Sequence, residues 1–295
     1  GAYLYALLSS PHLAENFEWI AATFPDGLHN SIWLVVPLGA ALAATFGILL
    51  GAPTLRLRGD YLAIVTLGFG EIVRIFMNNL SDPINITNGP KGISTIDSIK
   101  LAGLDFGNNT RIGDFVLSGT IKYYFFLLVI MMIVIVINFR LQNSRIGRAW
   151  EAIREDEMAA RAMGINTTRM KLLAFAMGAS FGGVAGGMFS AIQGFISPES
   201  FVLNESVMVL AMVVLGGMGN IWGVVLGAVL LSFVPEILRY TVEPAQKAMF
   251  GHQVIEAEVL RMLLFGFAMV GMMLYRPAGI LPSAVRKREL AKAES

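Results

Sequence analysis

The sequence predicts an all-α fold, a polytopic bundle of transmembrane helices. Hydrophobic residues make up 55% of its 295 positions and charged residues only 15%. The mean hydropathy of +0.65 exceeds what a soluble domain needs to fill one core. Nearly uncharged runs occur at 31–52, 61–77, 123–139, 172–196, 206–218, 221–238 and 259–275. We therefore expect seven full spans and an N-terminal partial span, in one transmembrane domain over 1–295.

The first element is the apolar stretch GAYLYALLSSP, which has neither the basic region nor the cleavage site of a signal peptide. It is typical of the end of a helix, and we expect further spans upstream of it. The next run, 31–52, is long enough to cross the hydrocarbon, which takes about 20 helical residues. The run 206–218 is the shortest and is expected to be re-entrant or bent.

The second run, 61–77, carries the charged residues Glu71 and Arg74 within the stretch GFGEIVRIF. Charges at membrane depth are costly and usually face a partner or a watery cavity, so both are candidate functional residues. Their spacing of three also lets them pair with each other on one helix face. Alternatively, Glu71 and Arg74 form an internal ion pair whose only role is to lower the cost of inserting this span into the membrane.

Lysine and arginine near the ends of the runs predict the orientation, because these residues concentrate in cytoplasmic loops. The central loop 140–171 and the tail 276–295 are both rich in them and are expected to be cytoplasmic. The link at 56–58 then also lies inside. The loops 11–30 and 201–205 contain neither residue and lie outside.

The segment 78–122 is the long loop on the outer, periplasmic side. It is rich in turn formers such as Asn88-Gly89-Pro90. We expect a short hairpin or helix here, and a surface that can receive a soluble partner. A solvated connector is the alternative.

The charged run GRAWEAIREDEMAARAMGIN at 147–166 lies between two apolar runs. Its charged and apolar residues alternate with helical periodicity, which predicts one amphipathic helix. Gly164 is expected to end this helix and Asn166 to cap the next one. Periodicity leaves open whether the apolar face meets lipid headgroups or another protein.

Small residues recur at every fourth position of the run 172–196, namely Ala174, Gly178, Gly182, Gly186, Ser190 and Gly194. Side chains four apart share one helix face, so this ridge predicts close approach of a neighbouring helix. Gly219, Gly223 and Gly227 repeat the pattern later in the chain. The ridge is equally consistent with static packing and with helices that slide between two states.

The composition argues against several classes of function. A net charge of +1 offers no basic stripe for nucleic acid, and the chain has no cysteine for disulfides or thiolate chemistry. The match of GASFG at 178–182 to a nucleophile elbow is attributed to chance, because an elbow follows a strand and needs a histidine within reach. His12, His29 and His252 are all expected in outer loops. We therefore predict no catalytic, cofactor-binding or metal-binding residue.

Several stretches resemble known transporters. MAARAMGI resembles the loop by which permease subunits of bacterial ABC importers dock onto their ATPase, with Met158 where that pattern has glutamate. Longer matches are LRLRGDYLAIVTLGFGEIVRIFMNN, ITNGPKGI, SRIGRAWEAIREDEMAARAMGIN, MKLLAFAMGASFGGVAGGMF, ISPESF, VLGGMGNIWG and RPAGI. Together these stretches resemble the branched-chain amino acid permeases of the LivM type, from about Gly51 to Ile280.

The resemblance implies the permease subunit of an ATP-driven importer in the bacterial inner membrane. Helix 147–164 would be its coupling helix, with Arg154, Glu155, Glu157, Ala159, Ala160 and Gly164 facing the ATPase. The implied partners are a second homologous permease chain, two ATPase subunits that bind ATP and Mg²⁺, and a periplasmic binding protein. That protein would deliver leucine, isoleucine or valine, and translocation would follow an apolar path by alternating access. The chain itself then needs no cofactor.

Two other functions stay open at this point. A permease of the same superfamily for urea, amides or another amino acid would have the same architecture. A secondary transporter would need no ATPase and would use Glu71 as a proton carrier. A membrane enzyme is disfavoured, since the sequence offers no constellation of nucleophile, base or metal ligands.

Overall fold

We describe the fold from a computed structural model, which describes residues 1–55, 57, 60–101, 104–112, 115–250, 257–275 and 279–282. Predictions that concern Arg56, Arg58, His252 and most of the tail 276–295 fall outside these residues. The chain divides into two compact units, Gly1–Val202 and Leu203–Ser295. Each unit is described by itself, and a single transmembrane domain stays a prediction.

The first unit is mainly helical. Its helices are α1 (Ala2–Leu8), α2 (His12–Asn16), α3 (Glu18–Ala21), α4 (Ile32–Thr54), α5 (Asp60–Asn79), α6 (Gly119–Gln142), α7 (Arg145–Glu155), α8 (Glu157–Ala162) and α9 (Thr167–Gln193). Short 3-10 turns occur at Gly89–Lys91 and Pro198–Phe201. The strands, all in the segment 78–122, are β1 (Lys100–Leu101), β2 (Leu104–Asp105), β3 (Thr110–Ile112) and β4 (Phe115–Leu117).

The second unit contains α10 (Leu203–Gly216), α11 (Ile221–Phe250) and α12 (Ala257–Tyr275). The close approach of a neighbouring helix, which the pattern of small residues predicted, occurs in this unit at Gly223 and Gly227. A Cβ at Gly223 would lie 2.5 Å from the backbone oxygen of Gly216, and one at Gly227 would overlap the backbone oxygen of Met212. Helices α10 and α11 therefore pack backbone against backbone, as small residues allow in membranes.

The chain is a multi-pass membrane protein. Among the described residues, five helices are long and apolar enough to cross a membrane, at Ile32–Thr54, Gly119–Gln142, Thr167–Gln193, Pro198–Gly216 and Ile221–Val242. They coincide with five of the predicted runs. The other two runs also form helices, α5 and α12, but they are not among the five. The predicted count of seven full spans therefore stays a prediction.

Helices α4 and α9 form the tightly packed centre of the first unit. A Cβ at Gly183 of α9 would lie 2.7 Å from both the Ala43 Cβ and the Gly39 carbonyl oxygen of α4. In the other direction, a Cβ at Gly47 would lie 2.7 Å from the Ala179 Cβ. Only glycine permits this spacing, so these glycines set the distance between the two helices.

The segment 78–122 is not a solvated connector. Strands β1 and β2 form one antiparallel hairpin and β3 and β4 another, which confirms the predicted hairpin and adds short strands to an otherwise helical fold. Ile93, Ile96 and Ile99 are buried in the core cluster of the unit together with residues of α1, α4, α6 and α9. The turn-rich composition gave no sign of these three isoleucines as anchors, because they are separated by polar residues.

A buried lysine holds the hairpins on α6. Lys122 Nζ donates to the carbonyl oxygens of Asp105 and Asn108 and to Thr110 Oγ1, each at 2.6 Å. A buried ammonium is tolerated only when its donors are satisfied, and three oxygens satisfy this one. The segment is therefore fixed to the N-terminal end of α6.

Candidate functional site

The central charged segment (145–166) consists of two helices. The predicted single helix over 147–164 is wrong, because the chain becomes extended at Asp156, with φ −154° and ψ 110°. The Asp156 carboxylate accepts hydrogen bonds from the backbone N–H groups of Met158 at 2.7 Å and Ala159 at 3.0 Å. Aspartate competes with the backbone in this way and favours a helix start over a helix interior. Asp156 thus ends α7 and begins α8.

The C-terminal end of α8 follows the prediction. Gly164 has a positive φ of +85°, and its N–H donates to the Arg161 carbonyl at 3.1 Å. The N–H of Ile165 reaches back to the Ala160 carbonyl, also at 3.1 Å. This pair of bonds is a Schellman motif, for which glycine is the preferred residue. The Asn166 side chain then accepts from the N–H of Arg169 and caps α9, as expected.

Side chains tie both short helices to α9. From α7, the Trp150 indole donates to the carbonyl oxygen of Met170 at 2.7 Å. From α8, Glu157 Oε2 lies 2.6 Å from Lys171 Nζ. The hydrogen bond from Lys171 holds the pKa of Glu157 below its usual range. The sequence argument missed Trp150 and Lys171, since their partners lie 20 and 14 residues away.

One exposed face of α8 is apolar. Met158 and Met163 are 77% and 84% exposed, and the side chains of Ala159 and Ala162 are exposed between them. These four residues lie on adjacent i, i+4 rows of the helix and form one surface, the methionine face (158, 159, 162, 163). Arg154, Glu155 and Gly164 are exposed nearby. Ala160 is only 4% exposed and points into the protein, so of the predicted docking residues it alone is buried.

A cavity of about 330 Å³ lies between α5 and the α4–α9 pair. Glycines of α9 and apolar residues of α5 form most of its wall, and Arg74 is the one charged residue among its lining. The lining residues are Gly1, Ala2, Tyr3, Ala43, Gly70, Val73, Arg74, Met77, Ala179, Gly182, Gly183, Gly186, Pro198 and Phe201.

A second cavity of about 740 Å³ shares Gly70, Val73, Ala179 and Phe201 with the first. It extends along α4 and α9 toward Thr54 and Ala174 and is lined by apolar and small residues. The remaining residues of its wall are Gly47, Leu50, Gly51, Thr66, Phe69, Phe175 and Gly178. The two cavities together follow one face of α9 from its middle toward its N-terminal end at the central segment.

The predicted glycine ridge forms the wall of these cavities. A Cβ added at Gly178 or Gly182 would meet no atom within 4 Å, so the expected close packing does not occur there. At Gly186 an added Cβ would lie 3.0 Å from the backbone nitrogen of Ala2, which fits the prediction. The residue that packs most closely, Gly183, stands one position beyond the ridge. A one-residue step rotates a helix position by about 100°, which moves it to another face.

Glu71 and Arg74 pair as their spacing predicted. Arg74 Nε lies 3.0 Å from Glu71 Oε1 and 3.1 Å from Oε2. The Nη1 atom of Arg74 also donates to both carboxylate oxygens of Glu199, each at 2.8 Å. Asn78 adds a bond to Glu199 at 3.1 Å. Sequence reasoning missed Glu199, because it lies 125 residues away from Arg74 in the sequence.

The comparisons with known proteins agree with this architecture. The family model described as branched-chain amino acid transport system, permease component, matches residues 1–273. The chain is 44% identical over 96% of its length to the LivM permease protein of a high-affinity branched-chain amino acid transport system in Salmonella typhimurium. The corresponding LivM protein of Escherichia coli is 43% identical over the same share. The LivH permease protein of Salmonella typhimurium is 27% identical over 74% of this chain and 69% of its own.

The chain spans 61% of the length of both LivM relatives. No solved structure matches it. The family match covers far more than half of the sequence, including the central segment and every residue that lines the two cavities. The chain therefore belongs to the family of permease components of branched-chain amino acid transport systems.

Proposed function

We propose that this chain is the transmembrane permease subunit of an ATP-driven importer of leucine, isoleucine and valine. The observation that carries the proposal is the methionine face, an exposed apolar surface on a charged segment. Large exposed apolar side chains on a polar helix mark a protein contact. Family membership and the names of the LivM relatives support the substrate class.

The proposal includes an assembly. A second, homologous permease chain completes the membrane part, and the LivH similarity supports such a pair. Two ATPase subunits bind ATP and Mg²⁺ and carry out hydrolysis, so this chain has no catalytic role. A periplasmic binding protein delivers the amino acid.

The proposed location is the bacterial inner membrane. We place seven full spans and an N-terminal partial span in a single permease domain over 1–295. The central loop 140–171 and the tail 276–295 face the cytoplasm, where the ATPases are. The segment 78–122 faces the periplasm, where the binding protein arrives.

The mechanism is alternating access. Closure of the ATPases displaces the central segment, and the bonds of Trp150 and Glu157 to α9 transmit that displacement. Helix α9 moves with α4, because the two pack through glycines. The cavities lie between this pair and α5, so such a motion changes the width of the path along Gly178 and Gly182.

ATP hydrolysis tests the proposal. The complex that co-purifies with the tagged full-length chain is reconstituted with and without binding protein and leucine. Stimulation of hydrolysis that needs both supports the proposed function. A preparation without ATPase subunits that still takes up leucine would contradict it and would point to the secondary transporter with Glu71 as proton carrier. Stimulation by urea or amides in place of leucine would point to the other permease class.

A further inference from the structure

Two histidines tie the loop 11–30 to the segment 78–122. His12 lies near the beginning of the loop and is buried, whereas His29 lies near its end and is exposed. Each ring places both of its nitrogens beside a hydrogen-bonding atom. A carbonyl or carboxylate oxygen requires a protonated ring nitrogen, and a donor requires an unprotonated one. The neighbours of each ring therefore reveal its protonation state.

The hydrogen-bond network fixes His12 in the neutral form. The side-chain oxygen of Asn85 accepts from the backbone N–H of Asn88 at 2.9 Å, so its amide nitrogen is the atom that faces Asn16 Oδ1, at 3.2 Å. The amide nitrogen of Asn16 then faces His12 Nδ1 at 3.3 Å. Because an amide nitrogen only donates, Nδ1 is unprotonated, and the ring proton lies on Nε2, which donates to the carbonyl oxygen of Ile86 at 3.1 Å.

His29 is in the opposite state. Its Nε2 atom lies 2.7 Å from the carbonyl oxygen of Asp26, and its Nδ1 atom faces the carboxylate of Asp97. Both neighbours are acceptors, so both ring nitrogens donate and the ring is an imidazolium. Asp97 is itself held in place, since its N–H donates to the carbonyl oxygen of Ser9 at 3.0 Å and its carbonyl accepts from the Tyr5 hydroxyl at 3.1 Å. Only the charged ring makes both of its bonds.

The surroundings of His12 favour the neutral ring. Burial lowers the pKa of His12 below its ordinary value of 6.5, although the bond to Ile86 and the nearby Glu15 act in the opposite direction. Because the pKa is lower when the loop is attached, protons favour the detached loop. The contribution of His12 to attachment is therefore complete above about pH 6.5 and is lost as pH falls through the lowered pKa.

The surroundings of His29 favour the charged ring. The hydrogen bond to Asp97, followed by that to Asp26, raises the pKa of His29 above 6.5, against the smaller effects of partial burial and of Lys100. Tyr5 lines the same recess. The contribution of His29 to attachment is therefore complete below about pH 6.5 and is lost as pH rises through the raised pKa.

We propose that His12 and His29 form a pH-sensitive clamp, which holds the loop 11–30 against the segment 78–122 most firmly within a window that closes on both its acidic and its alkaline side. At the acidic side, His12 gains a proton that points at the amide of Asn16. At the alkaline side, His29 loses a proton that one of its two acceptors needs. The clamp does not depend on the proposed function. In the orientation proposed above, it makes the surface where the binding protein arrives sensitive to periplasmic pH.

A spin label on the loop tests the clamp. The chain has no cysteine, so Ala22→Cys, at an exposed position of the loop, provides one labelling site in it. The complex without this change gives the background from the partner subunits. Electron paramagnetic resonance spectra of the full complex are recorded from about pH 5 to pH 9. We expect the ratio of mobile to immobile label to be lowest near pH 6.5 and to rise about fivefold toward each end, the effect of losing one hydrogen bond.

Glutamine variants assign each side of the window to one histidine. The glutamine amide can donate as Nε2 does, but it does not titrate. His12→Gln should therefore remove only the acidic rise in label mobility, and His29→Gln only the alkaline rise. The double variant should give a flat profile. Glu18→Gln, a charge change at an exposed acid of the same loop, is the matched control and should keep both rises.

Three results would overturn the clamp. These are a flat profile in the wild type, a rise on one side only, and both rises persisting in the double variant. Because His12 is buried, His12→Gln could fail to fold. In that case the profiles of the wild type and of His29→Gln decide: an alkaline rise that survives in His29→Gln also overturns the clamp.

Discussion

Lys171 Nζ lies 2.6 Å from Glu157 Oε2 and so joins the exposed helix α8 to the beginning of α9. Helix α9 continues from there past Gly178 and Gly182, which face the cavities. The bond from Trp150 to Met170 makes the same connection for α7. The central segment is therefore attached to the cavity wall by side chains as well as by the chain itself.

Loss of the Lys171 bond is expected to weaken coupling more than stability. An accessible ion pair contributes at most about 1 kcal/mol to folding, so Lys171→Met should leave the melting temperature nearly unchanged. Stimulation of ATP hydrolysis by the binding protein should fall several-fold, because α8 can then move without α9. Lys171→Arg keeps the charge and is the control. Full stimulation in Lys171→Met would count against side-chain transmission.

We expect that docking of the ATPase requires an apolar methionine face. Met158→Asp should abolish ATPase binding while the chain still inserts, because a buried unpaired charge is costly at a protein contact. Met158→Leu should retain ATPase binding, since the size and polarity of the side chain change little. Co-purification of ATPase subunits with each tagged variant measures the difference. Equal recovery with aspartate and leucine would remove α8 from the docking surface.

Gly182 and Gly183 are neighbours with opposite expected effects. Gly183→Leu should prevent stable folding, because even a Cβ there would lie 2.7 Å from two groups of α4. Gly182→Leu should fold, since its Cβ would meet nothing within 4 Å, but it should reduce leucine uptake by filling the cavity. Membrane yield and uptake are measured for both variants. Normal uptake by folded Gly182→Leu would exclude the cavity from the path.

Gly164 is expected to tolerate asparagine better than leucine. Its φ of +85° costs an L-residue roughly 1–2 kcal/mol, and asparagine adopts the left-handed region most readily. Gly164→Leu should therefore loosen the end of α8 and uncouple transport from ATP hydrolysis, with insertion intact. Hydrogen exchange across 157–166 reports the loosening. Identical exchange in the leucine and asparagine variants would show that the Schellman motif is dispensable.

The contact between His29 and Asp97 predicts a pH dependence of stability. The hydrogen bond that His29 Nδ1 donates to Asp97 Oδ2, at 2.5 Å, raises the pKa of His29 above its ordinary value of 6.5. Protonation therefore favours the folded state: the contribution is complete below about pH 6.5 and is lost as pH rises through the folded-state pKa.

Thermal melting from pH 6 to 9 tests this dependence. We expect the wild type to have a higher melting temperature than Asp97→Asn at the acidic end of this range. The difference between the two melting temperatures should narrow as pH rises. A gap that does not change with pH would show that the histidine stays in one protonation state.

Local patterns predicted much of the fold. Apolar run length located the helices, the spacing of three predicted the Glu71–Arg74 pair, and Gly164 and Asn166 predicted a helix end and a cap. Each of these features depends on residues within one or two turns. The split of the central segment at Asp156 was also local, but the helical periodicity on both sides of it concealed the cap.

The features that depend on tertiary packing were not predictable. Glu199 meets Arg74 from 125 residues away, and no spacing rule connects them. Ala160 fits the docking pattern but is buried, so Ala160→Arg would first disturb the packing of α8. The ridge at Gly178 and Gly182 faces open space because which side of a helix meets a neighbour depends on where that neighbour lies.

Leucine uptake into proteoliposomes is the most direct test of the central claim that this chain belongs to an ATP-driven importer. The full complex is reconstituted with ATP on the ATPase side and leucine-loaded binding protein on the other. We predict accumulation that requires both ATP and binding protein and that an uncoupler does not reduce. Accumulation driven by a proton gradient without ATP, and collapsed by the uncoupler, would contradict the claim.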